Sequence, residues 1–396
     1  MGGGEEPRGR MKTVAVVTDM WPSTTEPAAG LFVRDERLAL GLLGYRSIVM
    51  VPKLVAPELH RRVWGGTVNG GQEGWDEPPA PHLLRRYRNL RIPYRTEIRV
   101  RSGSILRTLA RNHLAPDLVH GHFLQHAGTA AARVAEQLGV PFVLTMHGTD
   151  YRVLTGSFPV QARYRVEMLA AALSADRIVV VDGGMVEGLV SVGVPRSLVD
   201  AIPMGVDEQV FTLRDRSAVR YELGVREEAQ VVLFVGRPTA EKGFDILERA
   251  VARLQNVDCF AAGPARASSV VTSLGPLSRE QLALFIAAAD VVCLPSFAEG
   301  TPVALEEALA SGTPVVATRV GGVPQLVDDH VAGILINAGD ESALAESLRE
   351  ALARTWDRRA IRATTQPYWW SEIAPRIARV YEGALGSGDA VGNTDA

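Results

Sequence analysis

The sequence predicts an α/β protein made of two doubly wound, Rossmann-like parallel-sheet domains facing a central cleft. Three observations carry that prediction. The chain has 396 residues, more than one ordinary hydrophobic core accommodates. Short apolar runs alternate with amphipathic stretches almost from end to end, as strands and crossover helices do in parallel α/β folds. The alternation breaks at "IPMGVDEQVF", residues 202–211, and then restarts, which places an interdomain linker there.

Taken in order, the first half offers strands at Thr13–Val17, Ser47–Val51, Leu118–His120, Phe142–Met146 and Ile178–Val181. Between them, Leu31–Leu43 carries Leu31, Leu38 and Leu42 at helical spacing, and Gln125–Leu138 is an Ala-rich helix stopped by Gly139. The second half offers strands at Val231–Val235, Val257–Ala262, Val291–Leu294, Val315–Ala317 and Gly333–Ile336, each followed by a helix-like stretch. Tyr368–Leu385, with Trp369, Trp370, Ile373, Ile377, Val380 and Tyr381 on one face, reads as a docked helix. The expected organisation is a first domain over 11–203, a second over 204–366, a helix over 367–385 packing back toward the first domain, and a disordered tail over 386–396.

Composition narrows the function classes. Formal net charge is −3, so no general attraction to nucleic acid is expected. The longest apolar runs are far too short to span a bilayer, and "MGGGEEPRGR" is followed by no apolar leader segment, so a cytoplasmic location is expected. Cys259 and Cys293 lie inside apolar strand-like runs and read as buried, reduced thiols. Of 42 basic residues only Lys12, Lys53 and Lys242 are lysines. Arginine is dense in "LLRRYRNLRIPYRTEIRVRSGSILRTLAR", residues 83–111, behind a Gly-, Trp- and Pro-rich loop; this reads as a solvated loop, as a site for an anionic acceptor, or as a peripheral contact with the inner face of a membrane.

The chemistry concentrates at two strand ends. After Val291–Leu294 comes "PSFAEGTPVALEEALA", where a helix start near Thr301 presents unpaired N–H groups and a positive dipole end. Glu299 precedes that helix, Glu307 lies two turns into it, and Glu306 is turned elsewhere. Glu299 suits a sugar hydroxyl and Glu307 the hydroxyls of a ribose; the plain alternative is that both merely complement the dipole. After the strand in "LFVGRPTAEKGFDIL", Arg237 and Lys242 reach the same rim, a fork and a mobile point charge suited to a diphosphate.

These residues carry a family resemblance. "GRPTAEKG", the stretch from "GPLSREQL" through "GGVPQLV", "DLVHGHF" and "LTMHGTD" together resemble the retaining GT-B glycosyltransferases of the glycosyltransferase 4 family, with its E-x7-E spacing, over roughly residues 12–385. The resemblance implies a nucleotide-sugar donor, most commonly a UDP-sugar, held mainly by the second domain and a sugar-containing or other hydroxyl acceptor held mainly by the first. It implies catalytic roles for His147, Arg237, Lys242 and Glu299, with His147 approaching the sugar ring. It implies donor contacts from Gly30, Gly236, Leu277, Gly300, Thr301, Pro302, Val303 and Glu307, although Pro302 has no N–H to give. His122, Asp150 and Arg152 are offered to the acceptor, and His120 to a supporting role. The first loop, "STTEPAAGLFVRDE", supplies Gly30 alone where many relatives have a Gly-Gly pair. No Asp-x-Asp is present, so transfer without metal or any other cofactor is expected. A non-catalytic nucleotide-sugar binder, or a phosphorylase or epimerase on the same scaffold, is the competing reading; Lys242 is the second half's lone lysine, which disfavours a pyridoxal-dependent phosphorylase.

Overall fold

The computed structural model describes residues 10–22, 29–52, 93–156 and 164–387. The Gly-, Trp- and Pro-rich loop, the arginine run as far as residue 92, and nearly all of the expected tail lie outside the described residues.

The first half runs β1 (Thr13–Val17), α1 (Leu31–Leu42), β2 (Arg46–Met50), α2 (Tyr94–Arg111), β3 (Leu118–His122), a π-helical turn (Leu124–Gly128), α3 (Thr129–Leu138), β4 (Phe142–Met146), α4 (Thr149–Leu154), α5 (Arg165–Leu173), β5 (Arg177–Val180), α6 (Met185–Ser191) and β6 (Val199–Ala201). The second half runs α7 (Arg216–Leu223), β7 (Gln230–Val235), α8 (Phe244–Val251), β8 (Val257–Ala262), β9 (Thr272–Gly275), α9 (Arg279–Ala288), β10 (Val291–Leu294), α10 (Val303–Ala310), β11 (Val315–Thr318), α11 (Val323–Leu326) and β12 (Gly333–Ile336). Three helices close the described chain: α12 (Glu341–Ala353), α13 (Arg358–Thr364) and α14 (Trp370–Ser387).

Each half forms a six-stranded sheet, ordered β2-β1-β3-β4-β5-β6 and β12-β11-β10-β7-β8-β9, with every pairing parallel. Strand order reverses between β1 and β3 in the first sheet and between β7 and β10 in the second. In open parallel sheets such reversals open a crevice outside the strands' carboxyl ends, where ligands bind. Both sheets are covered on both faces, and strands such as β4, with all five residues buried, are accordingly apolar throughout. One core cluster joins the first sheet to Trp370, Ile373, Ile377, Val380 and Tyr381 of α14; the other is built around the second sheet. The two thiols are free and buried, and burial pushes Cys259 up to about 12.

The structure corrects several sequence expectations. β6 and β9 carry half-exposed polar residues and no apolar run, so periodicity does not reveal them. The Leu31–Leu38–Leu42 face of α1 is not its buried face: Leu38 is 50% and Leu42 is 90% exposed, whereas Val33, Asp35, Glu36 and Leu40 are buried. Two acids turn inward because they have partners there. The described part of the arginine run is not a loop but α2, and its Arg101 is buried, paired to Glu97 at 2.8 Å and Asp19 at 3.1 Å. Helix α10 begins at Val303, two residues later than expected, and α14 extends into the expected tail as far as Ser387.

The turn that presents Lys242 depends on Gly243. Its φ is +69°, and a Cβ there would lie 1.9 Å from the Pro295 carbonyl oxygen, so the backbone after β7 rests directly on the end of β10. Gly139 has nearly the same φ, +67°, with nothing within 4 Å. Gly139→Ala should therefore lose only the left-handed penalty, about 1–2 kcal/mol. Gly243→Ala should lose measurably more in urea unfolding; equal losses would show that the contact with Pro295 is not binding.

Candidate functional site

The loops following β7 and β10 meet at the second sheet's reversal point, and they carry the residues singled out above. Lys242 donates from Nζ to both carboxylate oxygens of Glu299, at 2.8 and 2.7 Å. Ser296, fully buried at the end of β10, donates to the same carboxylate. Glu299 is thus pinned by a cation and a hydroxyl, with its side chain only 6% exposed. Arg237 is exposed and, among the described residues, has no ion-pair partner. Beyond the loop, no hydrogen bond among the described residues uses the Thr301, Val303 or Ala304 N–H, as befits the first turn of α10. A cation, a free guanidinium and open N–H groups thereby converge on one rim, next to a carboxylate.

The first sheet approaches the same rim. His147 follows β4, and its backbone oxygen is 3.1 Å from where a Cβ on Gly300 would stand. The Thr301 hydroxyl donates to the Val181 carbonyl, at the end of β5. His147 stacks among Phe123, Phe32 and His122, with ring centroids 4.4, 5.0 and 5.4 Å away. Burial, then the neighbouring His122, pushes its pKa well below the ordinary value, so it is neutral at physiological pH. His122 Nδ1 lies 3.1 Å from His147 Nε2. Gly30, at φ +69°, caps α1 where a Cβ would collide with the Met20 carbonyl, so the loop after β1 can be tight only with glycine there.

A buried guanidinium ties the halves together. Arg279, at the start of α9, lies 2.8 Å from Asp35 on α1 and 3.4 Å from Asp207 in the segment joining the sheets, with Arg279 and Asp35 side chains 8% and 9% exposed. It also covers the Phe211 ring at 5.5 Å. Glu307, on α10, belongs to this neighbourhood. Although partly accessible, its carboxyl is pushed up to about 8 by burial, against the lowering field of Arg279 and with the raising field of Asp35. Glu306 points the other way, fully buried, with neither carboxylate oxygen partnered among the described residues; burial, then the neighbouring Glu307, pushes its carboxyl well above the ordinary carboxylate range. Leu277 is partly buried against the second core, two residues before Arg279.

The acceptor candidates fare differently. Asp150 is buried and commits both oxygens to backbone N–H groups: Oδ1 accepts from His147, Gly148 and Tyr151 at 3.0–3.1 Å, and Oδ2 from Leu124 at 2.9 Å. It holds the His147 loop in shape rather than facing a ligand. Arg152 pairs with Glu241, in the loop after β7, at 3.0 Å. His122 and His120 are fully buried. Asp35, Arg279 and Ser296 escaped sequence reading, although all three sit within stretches quoted for other residues.

With this geometry in place, comparison with known proteins is informative. The family profile described as Glycosyltransferase Family 4 matches residues 33–210, and that described as Glycosyl transferases group 1 matches residues 229–354. A D-inositol 3-phosphate glycosyltransferase of Catenulispora acidiphila is 32% identical over 310 residues, 69% of this chain and 73% of that protein. One of Mycobacteroides abscessus is also 32% identical, over 68% of this chain and 66% of its own length. TuaC of Bacillus subtilis, named for glycosyl transfer in teichuronic acid biosynthesis, is 29% identical over 84% of this chain and 87% of its own. Among solved structures, Anabaena HepE in complex with UDP-glucose superposes with TM-score 0.70 at 19% identity, covering 94% of this chain and 99% of that one. Sucrose-phosphate synthase from Thermosynechococcus elongatus does so at 0.67 and 20%, covering 95% and 100%. The two-sheet architecture is thus the GT-B fold, and the chain belongs to the glycosyltransferase 4 family, within the group 1 glycosyl transferases.

Two outcomes test the electrostatics of the site. Burial pushes the Glu307 carboxyl up to about 8 in the folded chain from its ordinary 4.5. Its contribution to stability is therefore full below about pH 4.5 and is lost progressively as pH rises toward 8. Relative to Glu307→Gln, the wild type should lose unfolding free energy across that window; parallel curves would place Glu307 in water. The Lys242–Glu299 pair gives Lys242 a part in stability as well as in the charge of the rim. Lys242→Ala strands Glu299 in a site 6% exposed, and should lower stability by about 3 kcal/mol in urea unfolding, with Lys242→Ala/Glu299→Gln recovering much of the loss.

Proposed function

We propose that the protein is a retaining, metal-independent glycosyltransferase that moves a hexose-type sugar from a nucleotide diphosphate sugar, a UDP-sugar, to a hydroxyl of a small-molecule, natural-product, glycan or lipid-linked acceptor. The observation that carries this reading is the convergence, at the second sheet's reversal point, of Lys242, Arg237 and the open N–H groups of α10 beside the pinned carboxylate of Glu299. A diphosphate is the ligand that needs both a cation pair and a helix N-terminus. Supporting evidence comes from family membership and from HepE, whose structure carries UDP-glucose.

In this reading Lys242 exchanges partners. Without donor it neutralises Glu299; with donor it turns to the diphosphate while Glu299 accepts from a sugar hydroxyl. Arg237 takes a phosphate oxygen as a fork, and the Thr301 and Val303 N–H groups face the negative charge that grows as the bond from the anomeric carbon to the phosphate oxygen breaks. The acceptor oxygen forms its bond to that carbon on the same face, and its proton passes to a departing phosphate oxygen. Glu307 accepts from the ribose hydroxyls, and Leu277, Gly236 and Gly300 supply walls and backbone groups around the nucleotide. His147 meets the sugar ring from the opposite domain, and the acceptor lies against the first sheet's rim. The diphosphate's charge is met by protein cations, so transfer requires no divalent ion or other cofactor.

Purified protein should retain transfer activity with a UDP-sugar in excess chelator; abolition by chelator with rescue by Mg²⁺ or Mn²⁺ would overturn the metal-independent reading. Lys242→Ala should lower turnover about 10²-fold beyond any change in folded fraction, and Lys242→Arg should recover part of the rate, because a guanidinium keeps the charge but not its reach. Near-wild-type turnover by Lys242→Ala would remove the diphosphate from this rim.

A further inference from the structure

Beneath the His147 loop lies a carboxylate that the transfer chemistry above does not use. Glu36, on α1, is 3% exposed. Its Oε1 is 3.4 Å from His120 Nδ1 and 3.5 Å from His122 Nε2. The three side chains have the composition of a metal site, with ligand atoms within 4.8 Å of one another. His120, however, already uses both ring nitrogens: Nδ1 lies 2.7 Å from the Tyr381 hydroxyl and Nε2 2.7 Å from the Thr145 hydroxyl. That leaves Glu36 and His122, too few to make a four-ligand site. His122 Nε2, by contrast, is buried with no hydrogen-bond partner among the described residues, and it faces the Glu36 carboxylate.

We propose that Glu36 is a positioning residue: acting through His122, it fixes the tautomer of His147 so that this imidazole meets the donor sugar as a hydrogen-bond acceptor. The argument follows the protons. A carboxylate only accepts, so the Nε2 of His122 that faces it carries a proton. With its one proton on Nε2, the His122 ring presents Nδ1 as an acceptor. That atom lies 3.1 Å from His147 Nε2, and one of the two must donate, so His147 carries its proton on Nε2. Its Nδ1, which makes no hydrogen bond to a described residue, is left as a lone pair for a sugar hydroxyl. Burial keeps His147 from holding both protons. The 3.5 Å from Glu36 to His122 exceeds a finished hydrogen bond, and contacts of this type shorten when a ligand closes the site.

The role toward the sugar rests on the donor-site reading above; the tautomer does not, and it can be measured without any ligand. Long-range ¹H–¹⁵N correlation spectra of the full-length chain labelled with ¹⁵N-histidine, with His147→Ala for assignment, should show Nε2 protonated and Nδ1 bare. Glu36→Leu removes the acceptor, which favours moving the His122 proton to Nδ1 and reversing His147 to the Nδ1–H form. Glu36→Gln keeps a carbonyl acceptor and should restore the wild-type pattern. With a UDP-sugar, Glu36→Leu should lower kcat about tenfold with little change in KM for the donor, and Glu36→Gln should recover most of it. Wild-type His147 protonated on Nδ1, or a His147 tautomer unchanged in folded Glu36→Leu, overturns the proposal. A reversed tautomer with unaltered turnover supports the positioning role of Glu36 and counts instead against the donor-site reading.

Discussion

Arg279 is the group on which the arrangement of this molecule most depends. Two parallel sheets, each with its own core, present their carboxyl rims to one another, and the guanidinium bridges them from α9 to Asp35 on α1 and Asp207 on the connecting segment. A pair so nearly excluded from water gains little net energy over an apolar substitute, but removing one partner leaves a buried charge, so the pair acts to specify geometry. The geometry it specifies is the approach of the His147 loop to Gly300 and of Thr301 to Val181. A site assembled from two sheets needs such a constraint, because neither rim alone holds the donor cations and the histidine.

Charge in the cleft is set by burial more than by composition. His120 and His147 are pushed toward neutrality, and Glu306 and Glu307 toward the protonated form, each mainly by loss of solvent. Glu299 accepts hydrogen bonds from Lys242 and Ser296. The rim therefore holds the Lys242–Glu299 pair and, beside it, one exposed guanidinium. Such a site is preorganised for an incoming diphosphate, which would bring the largest charge present.

Much of the scaffold was legible in the sequence. Thr13–Val17, Phe142–Met146, Val257–Ala262, Val291–Leu294 and Gly333–Ile336 match the observed strands residue for residue, because strands buried on both faces read as continuous apolar runs. β6 and β9 were not legible because, unlike the equally short edge strand β12, they carry Asp200 or Thr272 and Ser273 in place of an apolar run. Helix α1 misled for a related reason: its leucines at helical spacing imply an apolar buried face, yet Asp35 and Glu36 turn inward toward Arg279 and the histidines, partners more than 80 positions away. The local sequence does not reveal that four backbone N–H groups surround the Asp150 carboxylate, because Leu124 lies 26 positions away and the loop that supplies the others takes its shape only in the fold.

By itself the sequence determined the class of fold, the repeat of two βα units, and the placement of Glu299, Arg237 and Lys242 at strand ends, because periodicity and strand-to-helix turns are local properties of the chain. Tertiary structure alone decided which of those groups face one another. The Lys242–Glu299 pair spans 57 positions, Arg279–Asp35 spans 244, and His120–Tyr381 spans 261. Pairing at such separations arises within the second sheet for Lys242–Glu299, against the first core for His120–Tyr381 and between the sheets for Arg279–Asp35. Like the loss of solvent around His147 and Glu307, it belongs to the folded chain and is encoded in no short stretch of sequence.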